Sequence, residues 1–135
     1  MLLRMTRTLS KCALPAFLLL AFACGGDDDT EADRLGVGAQ CVGTDIPCDE
    51  ETDQVCLTQF KGGYCGLEGC ADDDDCPEAS ACILHTDSKT YCFRICVDKA
   101  ECNANRDADN ESNCSSNVNF VEGAQGRKAC VPPSG

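Results

Sequence analysis

Beyond residue 40, apolar residues occur only in short runs separated by turn-forming residues. The clearest runs are residues 54–57, 82–84, 91–93 and 119–121. Runs this short, bounded by Gly, Ser, Asp and Asn, are typical of β-strands rather than of amphipathic helices. The turn at 86–89 separates two of the runs and predicts a β-hairpin that carries Cys82 and Cys92 near its base.

One apolar run is much longer, and it lies near the N-terminus. Residues 12–23 read CALPAFLLLAFA and follow Arg4, Arg7 and Lys11. A basic segment, an apolar stretch and small residues at its end together form a secretory signal peptide. About twelve apolar residues are too few for a membrane-spanning helix, which needs ~20. We therefore predict that residues 1–23 are a signal peptide that is removed on export.

The end of this run, LAFAC at residues 20–24, resembles the lipobox of bacterial lipoproteins. It also contains an A-x-A site for the ordinary signal peptidase, and both interpretations make Cys24 the first mature residue. The resemblance implies cleavage after Ala23, diacylglycerol on the Cys24 thiol and a fatty acid such as palmitate on the new amino group. Two or three acyl chains anchor a protein firmly to a membrane. In such lipoproteins the residues after the acylated cysteine help to decide the membrane, and Gly25 and Gly26 favour the outer membrane over the inner one. The domain would then be periplasmic or surface exposed.

The number of cysteines also supports lipidation of Cys24. The chain has 14 cysteines, of which Cys12 leaves with the signal peptide and 12 lie between Cys41 and Cys130. Those residues can all pair with one another, so Cys24 would remain as an exported free thiol. Lipidation removes that thiol. The alternative is a plain secreted protein in which Cys24 is unpaired or pairs with another molecule.

Charge restricts the kinds of partner. The chain has 23 acidic and 11 basic residues, and three of the basic residues precede Ala23, so the net charge of −12 becomes −15 from Cys24 onward. Such a chain repels phosphate backbones, so we expect no nucleic-acid partner; a protein partner would be a basic extracytoplasmic one. Residues 24–40 are rich in Gly and Asp and nearly devoid of apolar mass, which predicts a flexible acidic tether.

The cysteines after this tether fall into three successive groups of four with similar spacing. This pattern predicts a small disulfide-rich fold of short β-hairpins and irregular loops. The fold is expected to consist of about three tandem modules and to contain little helix. The domain is expected to span 41–130, and residues 131–135 to be a disordered or extended tail. The three groups are Cys41, Cys48, Cys56 and Cys65; Cys70, Cys76, Cys82 and Cys92; Cys96, Cys102, Cys114 and Cys130.

The middle group resembles a known type of extracellular module. Residues 70–82, CADDDDCPEASAC, are similar to the pattern of a cysteine, an acidic run, Asp-Cys-Pro, small residues and a cysteine in Dickkopf-like, colipase-like and whey-acidic-protein modules. The resemblance implies a disulfide scaffold. Whey-acidic-protein modules also contain an adjacent Cys-Cys pair, which this chain lacks, so their inhibitor function is not carried over.

Pairing within each group has three alternatives, and spacing alone does not decide among them. We predict that the first cysteine of each group pairs with the third and the second with the fourth, because both loops are then short and both bridges brace one hairpin. The predicted bridges are Cys41–Cys56, Cys48–Cys65, Cys70–Cys82, Cys76–Cys92, Cys96–Cys114 and Cys102–Cys130. Zinc or iron–sulfur ligation by the same residues is not expected in an oxidising compartment, so we predict no metal and no cofactor.

Few residues suggest catalysis. His85 is the only imidazole; a serine nucleophile such as Ser80 or Ser88 would need a rigid pocket around it, so we predict a surface histidine and no enzyme. The acidic run from Asp72 to Asp75 offers oxygen ligands for Ca²⁺ but lacks the glycine of a calcium loop, which favours a solvated loop. We therefore expect a membrane-anchored binding or structural module. The alternatives are a protease-inhibitor-like or other secreted-ligand-binding module, which would show a protruding loop without disulfides, and a small hydrolase, which would have a buried serine beside His85.

Overall fold

The computed structural model describes residues 36–45 and 48–135. The predicted signal peptide at 1–23, the lipidation site Cys24 and residues 24–35 of the predicted tether lie outside the described residues. Within the described ranges, no helix is long and apolar enough to cross a bilayer.

Short antiparallel strands dominate the described part of the chain. A small sheet pairs β1 (Val55–Cys56) with β2 (Cys65–Gly66). The remaining strands are β3 (Ser80–Leu84), β4 (Thr90–Cys96), β5 (Asn113–Ser115), β6 (Asn119–Phe120) and β7 (Lys128–Val131). They form a second sheet in the order β5-β7-β4-β3-β6.

Helix is scarce in the same ranges. A four-residue helix, α1, spans Lys99–Cys102, and single 3₁₀ turns occur at Glu50–Thr52, Asp73–Asp75 and Ala108–Asn110. The side chain of Asp98 caps α1 by accepting hydrogen bonds from the N–H groups of Ala100 and Glu101. The prediction of a small disulfide-rich fold made of short strands and loops is confirmed.

Strands β3 and β4 form the predicted hairpin, with Cys82 directly opposite Cys92. In its turn, the His85 N–H donates to the Lys89 carbonyl over 2.8 Å, and the Lys89 N–H donates to Asp87 Oδ1 over 3.0 Å. Side chains alternate between the two faces of each strand. Ala81, Ile83, Tyr91 and Phe93 lie in the main core, whereas Cys82 and Cys92 lie in a separate buried cluster. The hairpin therefore separates an apolar core from a cluster of disulfides.

The core is aromatic, and all three cysteine groups contribute to it. The Phe60 ring lies edge-on to Tyr64, Tyr91 and Phe93, with centroids 5.2–6.1 Å apart. Tyr91 and Phe93 lie nearly parallel at 5.8 Å. Phe120 and Ala129, from the third group, close the same cluster. Such edge-on and offset ring contacts stabilise a core beyond the area they bury. The three groups are thus parts of one core.

The ordered domain begins before Cys41, so the prediction of a tether through residue 40 is wrong for residues 36–40. Val37 and Gln40 are each 3% exposed, and the Gly38 N–H donates to the Cys65 carbonyl over 2.9 Å. Gly38 has a φ of +88°, and a Cβ there would lie 3.1 Å from the Tyr64 hydroxyl. Only glycine fits this close approach without strain, and residues 36–38 form a turn that, with Ala39, hydrogen-bonds to Cys65 of β2.

The C-terminal residues are also ordered, so the expectation of disorder at 131–135 is corrected. Val131 ends β7, and Ser134 forms a bridge with Phe60. The Lys61 N–H donates to the Pro133 carbonyl over 2.9 Å, and the Gly135 N–H donates to the Gln59 carbonyl over 3.1 Å. The tail is extended, the other form predicted for it, because these backbone hydrogen bonds hold it against the first cysteine group.

Candidate binding surface

Six disulfides fix the loops that reach the surface. Each joins one of the predicted pairs, with sulfur–sulfur distances of 2.01–2.13 Å and sequence separations of 12–28 residues. The first bridge, Cys41–Cys56, is partly buried, whereas Cys82 and Cys92, which belong to two different bridges, are fully buried. The chain-entropy model assigns roughly 3 kcal/mol to a bridge that closes about 15 residues. Loops on such a frame keep their shape without a large core.

The two bridges of each group lie side by side. Among the described residues, the groups of three potential metal-ligating side chains within 4.8 Å consist of cysteines. Each such trio contains one complete bridge and one sulfur of its neighbour, for example Cys41, Cys48 and Cys56. Sulfur that is bonded to sulfur is not a thiolate, and the thiolate is the form that ligates metals. The proximity of these sulfurs therefore follows from the interlocked pairing.

The carboxylates of the acidic run at 72–75 mostly face the protein's own donors. Asp72 Oδ1 caps the Asp74 N–H over 3.1 Å, and Asp75 Oδ2 accepts from the Ala71 N–H over 2.7 Å. Asp73 accepts from the Cys82 N–H over 2.9 Å and from Arg127 Nη1 over 2.7 Å. The run is a 3₁₀ turn stabilised by its own side chains, and these carboxylates do not converge on one point.

His85 is mostly buried, so the prediction of a surface histidine is wrong. Its side chain is 12% exposed, and its ring lies edge-on to Phe60 at 5.2 Å. His85 Nδ1 lies 3.3 Å from Asp87 Oδ1, and the Tyr91 hydroxyl donates to Asp87 Oδ2 over 2.7 Å. The tyrosine hydrogen bond lowers the pKa of the Asp87 carboxyl, and burial raises the pKa of Tyr91. This cluster closes the hairpin turn over the aromatic core.

Among the described residues, neither serine hydroxyl considered for a nucleophile hydrogen-bonds to the His85 ring, although the Ser88 N–H donates to the His85 carbonyl over 3.0 Å. The Ser80 hydroxyl donates to the Pro77 carbonyl, and Ser88 is an exposed turn residue with a φ of +67°. The loop after β6, residues 121–127, contains no cysteine and is exposed for most of its length. It forms tight turns held by Arg127, which donates to the carbonyls of Gly123 and Ala124. The loop is therefore compact, whereas substrate-like inhibitor loops are extended.

Two adjoining surface cavities are lined by acidic residues. The first has a volume of about 520 Å³, and its charged lining residues are Glu50 and Asp53; the bridged cysteines 41, 48 and 56, together with Gln54 and Val55, complete it. The second has a volume of about 380 Å³ and is lined by Asp53, Glu68 and Asp75, with Leu67 among its apolar contacts. Asp53 is shared by both. No lysine or arginine lines either cavity in the described part of the chain. A cation with an apolar stem fits this lining.

No protein-family model, curated protein or solved structure matches the chain. Sequence reasoning missed Glu50 and Asp53 as lining residues, because the predicted Cys41–Cys56 bridge joins the ends of this segment but does not show which side chains border a cavity. It also missed Arg106, whose guanidinium holds backbone carbonyls from three separate segments. An isolated arginine in a polar loop carries no signal for such a role.

Proposed function

We propose that this chain is an exported lipoprotein whose disulfide-stapled domain binds a basic macromolecule in the cell envelope. Acyl chains on Cys24 anchor it, preferentially at the outer membrane, and the residues before 36 connect the anchor to the domain. The domain has no catalytic activity of its own. Binding or a structural role in the envelope is its function.

The observation that carries this proposal is the pair of adjoining acidic cavities on a rigid frame. Glu50, Asp53, Glu68 and Asp75 line them, and no described cationic residue does. Rigid scaffolds that display polar loops are commonly used for recognition. A net charge of −15 from Cys24 onward adds long-range attraction for a basic partner.

The arrangement around His85 supports the non-catalytic part of the proposal. The imidazole packs against Phe60 and contacts the Asp87 carboxylate, so its environment is that of a structural core residue. The Ser80 hydroxyl donates a hydrogen bond to the Pro77 carbonyl. A general base needs a nucleophile within hydrogen-bond reach, and these contacts do not supply one.

The test is capture of the partner from the cell envelope by the mature chain carrying Cys24→Ser, which is expected to be soluble. We expect a partner that binds at low salt and is lost at about 1 M salt, where the Debye length falls to ~3 Å. Capture that is unchanged at high salt would contradict the electrostatic proposal. Failure to capture or cross-link any envelope protein would contradict the binding function. A turnover signal that disappears in His85→Ala would overturn the non-enzyme proposal.

A further inference from the structure

The open edge of β1 and the cavity beside it define how a partner docks. We propose that an extended segment of a basic protein pairs with the backbone of Cys56 on this edge and places lysine or arginine side chains against Glu50 and Asp53. This inference rests on the proposed function, because it names the surface and the mode by which the basic partner is bound.

The first argument is the unpaired edge. Strand β1 pairs with β2 on one side, and Cys56 lies opposite Cys65. The Cys65 N–H donates to the Ala39 carbonyl over 3.0 Å, and its carbonyl accepts from Gly38, so both groups point away from β1. In an antiparallel ladder the residue opposite such a position also directs its N–H and C=O outward. Cys56 therefore presents one donor and one acceptor on the open edge, and no described residue hydrogen-bonds to either.

The second argument is the position of the first cavity along that edge. Val55 and Cys56 are consecutive strand residues, whose side chains point to opposite faces of the sheet. Both line the same cavity, which therefore lies along the edge of the strand. Val55 is 52% exposed, so its side chain is accessible to a segment that docks on this edge. A strand added to this edge would cover Val55 and the partly buried Cys41–Cys56 bridge.

The charges of the lining residues determine the occupant. Glu50 and Asp53 have no cationic partner among the described residues, whereas Glu68 in the second cavity is already 2.6 Å from Lys89 Nζ. An acidic or phosphate-bearing ligand would be repelled. A second copy of this chain, at −15 from Cys24 onward, would be repelled as well. An extended basic segment accounts for both the open edge and the unpaired carboxylates. Its backbone pairs with Cys56, while its side chains neutralise Glu50 and Asp53.

The experiment uses the mature chain with Cys24→Ser and a fluorescently labelled peptide of alternating lysine and valine, with binding followed by anisotropy. The double variant Glu50→Gln/Asp53→Asn is expected to bind about three- to tenfold more weakly, as the loss of two exposed ion pairs implies. Asparagine suits position 53, because Asp53 has a φ of +58° and asparagine tolerates that conformation. The matched control Asp74→Asn/Asp109→Asn removes the same charge from exposed residues outside the first cavity and should bind like the parent.

A second peptide separates strand pairing from simple charge attraction. In this second peptide, alternate backbone nitrogens on the edge that faces β1 are methylated. The methyl groups keep the charge of the peptide but remove its N–H donors for strand pairing. We expect at least tenfold weaker binding of the methylated peptide. Equal binding of both peptides would overturn strand addition, and equal loss in the two double variants would overturn the assignment to Glu50 and Asp53. If the parent captures an envelope partner whose affinity is unchanged by Glu50→Gln/Asp53→Asn, this inference fails while the proposed function stands.

Discussion

The Nη1 atom of Arg106 lies 3.0 Å from the carbonyl oxygen of Gly38, although 68 residues separate the two in the chain. The same guanidinium donates to the carbonyls of Gly63, Lys61 and Asn110 over 2.7–2.9 Å. Burial lowers the pKa of Arg106 from its ordinary value, but an arginine remains charged at any physiological pH. One side chain from the third cysteine group therefore joins the entry segment of the domain to the turn before β2.

Replacing Arg106 tests this link. Arg106→Met leaves several carbonyls without a donor and should lower the free energy of unfolding by about 2–3 kcal/mol, measured by urea unfolding with the bridges intact. Arg106→Lys should recover only part of this loss, because an ammonium group cannot reproduce the planar fork of donors. The exposed control Lys128→Met should change stability by less than about 0.5 kcal/mol. Equal effects at positions 106 and 128 would show that the link does not contribute to stability.

Alkaline pH should destabilise the fold through Tyr64. Burial raises the pKa of Tyr64 to about 12, although the hydrogen bond from the Arg94 N–H opposes this. In the unfolded chain a tyrosine ionises near pH 10, so unfolding releases a proton between these two values. Stability that is present below about pH 10 should thus fall by roughly 2–3 kcal/mol as the pH rises to about 12. Tyr64→Phe should lose most of this slope in pH-dependent thermal unfolding, and an unchanged slope would refute the assignment.

The ion pair between Asp73 and Arg127 should stabilise the acidic run. The two side chains are 19% and 27% exposed, and Arg127 also lies 4.9 Å from the centroid of the Phe120 ring. A double-mutant cycle with Asp73→Asn and Arg127→Gln should give a coupling of about 1 kcal/mol.

Calcium should leave the unfolding temperature of the parent unchanged. A calcium-dependent stabilisation that Asp73→Asn abolishes would instead support the calcium alternative considered for this run.

Anchoring by Cys24 is a separate prediction that depends on the sequence alone. Cys24→Ser removes the thiol that diacylglycerol would modify, and we expect an uncleaved precursor or a soluble species. The parent should carry acyl mass in intact-protein mass spectrometry and resist a carbonate wash. If the variant remains in the washed membrane fraction and the parent shows no acyl mass, the chain is not a lipoprotein.

The grouping of the disulfides was predictable because each bridge depends on a short stretch of chain. The grouping into fours, and the turn at 86–89 between Cys82 and Cys92, already place the partners near one another in sequence. Loop closure favours such local pairs. The structure has the same pairs, with the largest separation of 28 residues in Cys102–Cys130.

The errors all concern contacts between distant segments. The five residues before Cys41 look like a linker until Arg106 and Tyr64 approach Gly38. His85 looks like a turn residue until Phe60, from the first cysteine group, covers its ring. Neither contact has a local signal, since a single arginine, glycine or histidine carries no periodicity. The first acidic cavity is a different case, because it is lined by residues within 41–56, and the pairing of Cys41 with Cys56 does not show which side chains border it.

The locality of the bridges also has a consequence for how the chain matures. For a chain that emerges N-terminus first from a ribosome or a translocation channel, Cys41–Cys56 and Cys48–Cys65 can close before any residue after 65 has appeared. The second pair of bridges requires the chain only through Cys92, and Cys130 completes the third. Oxidation can therefore keep pace with emergence, and no early thiol has to wait for a partner from the far end. The shared aromatic core assembles last, because Phe120 and Ala129 arrive after both cysteines of five bridges have emerged.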